Sequence, residues 1–335
     1  MNSNLIITPI TGWDKSKWLQ FRKQGIGASD IGTILGYNQY KSAIELWYEK
    51  LTLEPELSVE SIAMFMGHYH EDTVTDLWQY WDGTEAGMIK NYREGKIVRK
   101  NRRINAYVQN TKYPWLFVSL DRIINKGERG DEGALEIKTI AGYEAAKWST
   151  GIPPAHIVQV LTQIMVCEFK FGEIAAMQDG RTFNVWPFEY NEVICEQIKV
   201  RTKEFWDTVL QGRILLTRKY EAVKSFNMKL ADELQAELET LEPPPDNSEA
   251  YAKFLKDKYN RSLAQVGLVK GTDADYLIAE EHKRLKGKIK DLETEMRLCE
   301  NTLKSRIKEG TALDFGDKGK VNWEGDPRRF INKIK

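Results

Sequence analysis

Two carboxylates and one ammonium mark the stretch of this chain best equipped for chemistry. Gly133-Ala134-Leu135-Glu136-Ile137-Lys138-Thr139 reads as a short strand, Leu135 to Lys138 at its centre. Glu136 and Lys138 are two apart and so project from the same face. Asp121 follows an earlier apolar run, Trp115-Leu116-Phe117-Val118-Ser119-Leu120. A hairpin through Asn125 to Gly133 sets the two strands side by side and gathers Asp121, Glu136 and Lys138 into one small site. Carboxylate oxygens are the ligands that Mg²⁺ and Mn²⁺ prefer. A neighbouring lysine stabilises phosphate charge or poises a water.

Other elements must hold that site. Residues 13–50 read as mostly helical, with Trp13, Lys17, Trp18 and Phe21 at helical spacing. Arg22-Lys23-Gln24-Gly25-Ile26-Gly27-Ala28-Ser29-Asp30-Ile31 carries a glycine-bearing loop into a new helix that Ser29 or Asp30 would cap. A helix N-terminus beside an arginine is an anion site; an ordinary cap between two helices is the competing reading. Residues 58–82 form a further helix carrying Gly67-His68-Tyr69-His70-Glu71-Asp72. Glu71 is either a third carboxylate for the same metal or part of a solvated face. His68 and His70, two apart on a helix, point apart and make a poor metal pair. Between 90 and 103, Lys90, Arg93, Lys96, Arg99, Lys100, Arg102 and Arg103 face only Glu94. That is a DNA-facing surface or a charged edge strand.

Strands at about 104–109 and 115–124 precede the Glu136 strand. Residues 141–150 read as a helix, Gly151-Ile152-Pro153-Pro154 as a loop, and Ala155 to Phe169 as an amphipathic helix. Gln159 and Gln163 share one face of that helix and need hydrogen-bond partners there. Phe171–Ala176 and Thr182–Glu189 read as strands of the same sheet, and Asn191–Gln211 as a helix closing the domain. Helices, antiparallel strands, helix, strands, helix is an α+β order with a central mixed sheet. After residue 217 the texture becomes helical and charged, broken at Pro243-Pro244-Pro245. Residues 249–264 are helical. Within 281–309, Leu285, Ile289, Leu292, Met296, Cys299 and Leu303 alternate by four and three. That is a short coiled coil, or a helix packed antiparallel on its predecessor. Ala312 to Trp323 reads as a terminal hairpin, followed by a basic tail with Arg328, Arg329, Lys333 and Lys335.

At 335 residues the chain suits two domains, or one large domain with an extension. Its formal net charge is zero, so a nucleic-acid partner would need positive charge concentrated locally. Cys167, Cys195 and Cys299 form no C-x-x-C pair, which argues against a zinc site, an iron–sulfur cluster or a disulfide scaffold and suits a reducing cytoplasm. The N-terminus has no signal-peptide pattern, and no run reaches the length of a membrane span.

The residues just described, taken in order, resemble a known family. Asp121 followed by Glu136-x-Lys138 is similar to the PD-(D/E)xK nuclease core. The set Trp18…Arg22…Gly25-Ile26-Gly27-Ala28-Ser29-Asp30-Ile31, the Gly67…Glu71 helix, Ile152-Pro153-Pro154 and Gln159 extends the match across residues 13–210. Together they resemble the YqaJ-type viral recombinase family, which includes the phage lambda exonuclease. The resemblance implies a restriction-endonuclease-like core over residues 1–217; the charged, helical texture beyond it reads as an extension over 218–335. It implies a Mg²⁺-dependent deoxyribonuclease, with Mn²⁺ as a substitute and two ions per site. Such an enzyme degrades the 5′-ended strand of double-stranded DNA ends and leaves a 3′ single strand for an annealing protein, in a bacterial cytoplasm and of phage or prophage origin. Asp121, Glu136, the Ile137 carbonyl and Glu71 would bind metal, Lys138 would act on the attacking water, and Gln159 would support them. Arg22, Ser29 and Ser119 would hold the 5′-phosphate. A trimeric ring is also implied. Leu120 stands where the motif has proline, and Gln109-Asn110-Thr111-Lys112 offers no acidic ligand, so fewer protein ligands are expected at one metal. A structure-specific or nicking endonuclease, and a non-enzymatic DNA-end-binding recombination adaptor, are the alternatives.

Overall fold

Two sheets hand the chain from one to the other between Ser119 and Arg122. The computed structural model describes residues 4–54, 61–125, 131–149, 151–259, 267–323 and 330–334. The parts of the expected elements at 58–60, 126–130, 260–264 and 326–329 lie outside these. The chain divides into two compact units, Met1–Ser262 and Leu263–Lys335.

In the first unit, strand β1 (Leu5–Pro9) is followed by helix α1 (Lys15–Arg22), strand β2 (Ile26–Gly27) and helices α2 (Ile31–Ile34), α3 (Ala43–Leu51), α4 (Ile62–Gln79) and α5 (Glu85–Arg93). Strands β3 (Asn101–Arg102), β4 (Ala106–Asn110), β5 (Tyr113–Ser119), β6 (Arg122–Ile124) and β7 (Gly133–Ile140) come next. Helices α6 (Ala145–Ser149) and α7 (Pro154–Val166) lead to β8 (Phe171–Gln178) and β9 (Thr182–Glu189), and helices α8 (Glu192–Lys224), α9 (Met228–Glu239) and α10 (Glu249–Lys258) close the unit.

One sheet has the order β1-β4-β5-β2, the other β3-β6-β7-β8-β9. Each mixes directions: β2 runs parallel to β5, and β7 parallel to β8, while the remaining pairs are antiparallel. A parallel neighbour needs a crossover, and α7, with Pro154 at its first turn where a missing N–H costs nothing, supplies it between β7 and β8. The pleat of β7 divides its side chains. Leu135 and Ile137 pack with Val74 and Trp78 of α4 and with Ala175 and Phe183. Ala134 joins the larger core with Leu116, Val118, Ile164, Ile174, Ile198 and Val209. Glu136 and Lys138 share the Ala134 face and point toward α7.

The expected α+β class and mixed architecture hold, with differences in detail. The run 115–124 is two strands in different sheets, so the unit has two sheets where one was expected. Residues 13–50 include β2 and a 3₁₀ turn at Ala28–Asp30. Asp14, not a residue inside the helix, caps α1 by accepting from the Lys17 N–H, so Trp13 precedes it. The basic stretch after residue 87 begins inside α5, whose charges sit on a helix before the short edge strand β3. The boundary expected at 217 falls inside α8, which runs unbroken for 33 residues.

In the second unit, α11 (Asp273–Ile307) opens on a capping box between Thr272 and Asp275. Strands β10 (Ala312–Asp314) and β11 (Gly319–Trp323) form the expected hairpin, and β12 (Phe330–Ile334) adds a third antiparallel strand.

Candidate active site

Glu136 lies at the centre of a polar knot buried under α7. One carboxylate oxygen accepts from Lys138 Nζ and from Gln159 Nε2, each at 2.6 Å. The other accepts from Gln163 Nε2 at 2.6 Å. Asp121 sits at the exit of β5, and its Oδ2 accepts from the Ile137 backbone N–H at 2.8 Å. The hairpin register that sets Arg122 opposite Leu135 fixes this meeting. Asp121 binds protons more tightly than an ordinary aspartate, first because it is buried and then because Glu136 is close. Lys138 is held above the ordinary lysine range: burial opposes its charge, but Glu136 and Asp121 outweigh that.

Asp121, Glu136, Ile137, Lys138 and Gln159 line one cavity of about 410 Å³ together with Arg22, Ser29, Ser119 and Tyr107. The anion end of this cavity is a second buried network. Arg22 Nη2 donates to Asp30 Oδ1 at 3.0 Å and to Ser29 Oγ at 3.3 Å, and its guanidinium lies 5.1 Å from the Trp18 ring centre. Asp30 Oδ2 accepts from the Gly27 N–H at 3.1 Å and pairs with Lys50 Nζ at 2.9 Å. Burial alone would raise the Asp30 pKa, yet Lys50 and Arg22 hold it well below the ordinary carboxylate range. The loop is therefore more than a helix cap: Asp30 is inside the 3₁₀ turn and ties the loop to α3.

The structure brings together Asp121, Glu136, Ile137, Lys138 and Gln159 at one end and Arg22 with Ser29 at the other, and Ser119 lines the same cavity. Glu71 has ion-pair partners of its own. It lines the same cavity, but its Oε1 accepts from Arg103 Nη2 at 2.8 Å and from Arg122 Nη1. Arg122 also binds Asp72. Glu71 is thus ion-paired within the cavity, where its charge also acts on Asp121, while the Asp72 side chain is largely exposed.

Four contributors went unassigned in the sequence. Gln163 is fully buried and holds Glu136, though the shared face with Gln159 had marked it as needing a partner. Arg122 and Arg103 engage Glu71. Lys50 is fully buried, and its spacing from Trp47 and Leu51 on α3 was the available sign.

The donor set suits a hard divalent cation. Asp121 and Glu136 place carboxylate oxygens side by side in a desolvated site, the donor type such a cation takes.

With this geometry in place, residues 17–170 match the family model described as the YqaJ-like viral recombinase domain. The chain is also 26% identical over 305 residues to the uncharacterized protein YqaJ of Bacillus subtilis (strain 168), covering 88% of this chain and 79% of that protein. Among solved structures it is similar to LHK-Exo in complex with dAMP, at TM-score 0.48 and 16% identity, over 62% of this chain and 98% of that one. The alkaline exonuclease LHK-Exo from Laribacter hongkongensis matches at TM-score 0.46 and 14% identity over the same shares. Among the described residues, no helix is long and apolar enough to cross a membrane.

Proposed function

From the premise that residues 17–170 belong to a YqaJ-like viral recombinase domain, we propose that this protein is a Mg²⁺-dependent deoxyribonuclease acting at double-stranded DNA ends in the 5′-to-3′ direction. The observation that carries this is one cavity holding two unlike sites: the Asp121–Glu136–Lys138 cluster, and Arg22 with Ser29. The first has the groups for phosphodiester hydrolysis, the second for gripping a terminal phosphate.

Asp121, Glu136 and the Ile137 carbonyl are the groups to hold the cation. Once bound, it supplies Lewis-acid polarisation of a phosphoryl oxygen and lowers the pKa of a water. Gln159 and Gln163 fix both oxygens of Glu136, so the carboxylate need not reorganise as substrate arrives. Lys138 stays protonated and presents positive charge where negative charge develops on phosphate. At the other end, Arg22 offers a guanidinium fork for phosphate oxygens, stacked on Trp18 and braced by Asp30. Ser29 and Ser119 add hydroxyls.

Digestion of linear duplex carrying 5′-phosphate or 5′-hydroxyl ends, with and without Mg²⁺, tests the reading. The expected result is Mg²⁺-dependent release of nucleotides, faster from the phosphorylated end, with that preference lost in Arg22→Ala. Cutting of closed-circular DNA at a comparable rate overturns the exonuclease assignment in favour of an endonuclease. Absence of hydrolysis on every duplex overturns both.

A further inference from the structure

Lys50 is fully buried, yet its ammonium stands one aromatic ring behind the cavity wall. Nζ pairs with Asp30 Oδ2 at 2.9 Å and donates to the Arg22 backbone carbonyl at 2.7 Å. It lies 6.0 Å from the ring centre of Phe117, which lines the cavity. Asp30 uses its other oxygen to accept from Arg22 Nη2 at 3.0 Å. Lys50 thus holds Arg22 twice, directly by its carbonyl and through Asp30 by its guanidinium. A buried lysine–aspartate pair is weak evidence for stability, because desolvating both charges offsets most of their attraction. Burial does draw the Lys50 ammonium below the ordinary lysine range, against the pull of Asp30.

The balance of charge points to another role. Arg22 with Asp30 alone would be a neutral unit, braced but with no excess charge for an anion. With Lys50 the network holds two cations and one anion. The nearest other charges have partners of their own: Glu49 pairs with Lys41, and Lys23 Nζ donates to the Glu49 carbonyl at 2.5 Å. The path from Lys50 to the cavity runs through the Phe117 ring and not through water, so its charge is weakly screened there. We propose that Lys50 makes the anion end selective for a terminal phosphate: it counters Asp30, so that Asp30 braces Arg22 without neutralising it. This rests on the reading of Arg22 and Ser29 as the grip on a 5′-phosphate. Lys50 touches no substrate; it is a positioning residue that acts through Arg22 and across Phe117.

The test is binding of the full chain, by fluorescence anisotropy in EDTA so that nothing is hydrolysed, to duplexes that differ only in a 5′-phosphate or a 5′-hydroxyl. The hydroxyl duplex is the internal reference for fold and for general DNA affinity. Wild type should prefer the phosphate. Lys50→Met, which keeps the aliphatic stem and removes the charge, should cut that preference by about tenfold, the scale of one unit charge in a partly buried site. Combining Asp30→Asn with Lys50→Met removes both buried charges and leaves Arg22 positive, so most of the preference should return. A merely structural Lys50 would weaken both duplexes alike and leave the preference unmoved. An unmoved preference in Lys50→Met therefore overturns the proposal while the grip itself stands. So does a double variant without the preference, and that variant decides the matter alone if Lys50→Met does not fold. A wild type with no preference overturns the proposal together with the grip, and Mg²⁺-dependent digestion then judges the hydrolase reading separately.

Discussion

Two aspartates, Asp121 lining the cavity and Asp30 bracing the Arg22 that lines it, behave in opposite ways. Asp121 has its proton affinity raised; Asp30 has its lowered. Burial pushes both upward, so burial does not distinguish them. What differs is the company: Asp121 sits against Glu136, while Asp30 sits between Lys50 and Arg22. At one end two carboxylates repel each other, and a bound proton relieves that repulsion. The other has spent its negative charge on holding a guanidinium in place. Buried carboxylates are a poor guide to role until their neighbours are counted.

The sharpest way to break this contrast is Asp121→Asn. Activity should vanish in a hydrolysis assay while metal-free thermal stability at neutral pH rises. The sign follows from linkage: a carboxyl whose folded pKa is raised favours folding when protonated, and that stability is lost as pH rises through the folded value. The amide escapes this loss. An unchanged or lower melting temperature would show that Asp121 is not under charge repulsion. Lys138→Ala should next lower kcat by about 10²–10³-fold, the usual cost of removing one preorganised charge-stabilising donor. Metal binding by calorimetry should persist.

At the opposite end, Asp30→Asn leaves Lys50 buried without its partner and should destabilise the protein by about 3–5 kcal/mol in chemical unfolding. Here the folded pKa is lowered, so the stability from Asp30 is complete above the ordinary carboxylate range. It drains only as pH falls through the lowered folded value, and wild type and variant should converge in acid. Gln163→Ala is the smallest of the set. Losing one support of Glu136 should weaken divalent-cation affinity by about 10–100-fold, read by calorimetry, with little change in fold.

The meeting of Asp121, Glu136 and Lys138 was legible because it is local. Glu136-x-Lys138 needs only the period of a strand, and Asp121 needs only the next strand of a hairpin. Gln159 and Gln163 announced themselves as polar residues on an apolar helix. The fate of Glu71 was not legible, since the arginines that bind it lie 32 and 51 residues further on. Lys50 looked like an ordinary helix lysine, and only the fold puts Asp30 above it. The division into two sheets was hidden by the unbroken apolar run from Trp115 to Leu120, in which nothing marks a change of partner. Strand β2, two residues long, has no period to read.

That change of sheet sets a gauge. Ser119 and Asp121 line the same cavity with only buried Leu120 between them. Two residues of extended backbone span no more than about 7 Å. Their separation is thus fixed by covalent bonds rather than by how the sheets pack. On the reading proposed above, in which Ser119 contacts the terminal phosphate, the spacing from that contact to Asp121 is written into the chain as a count of residues.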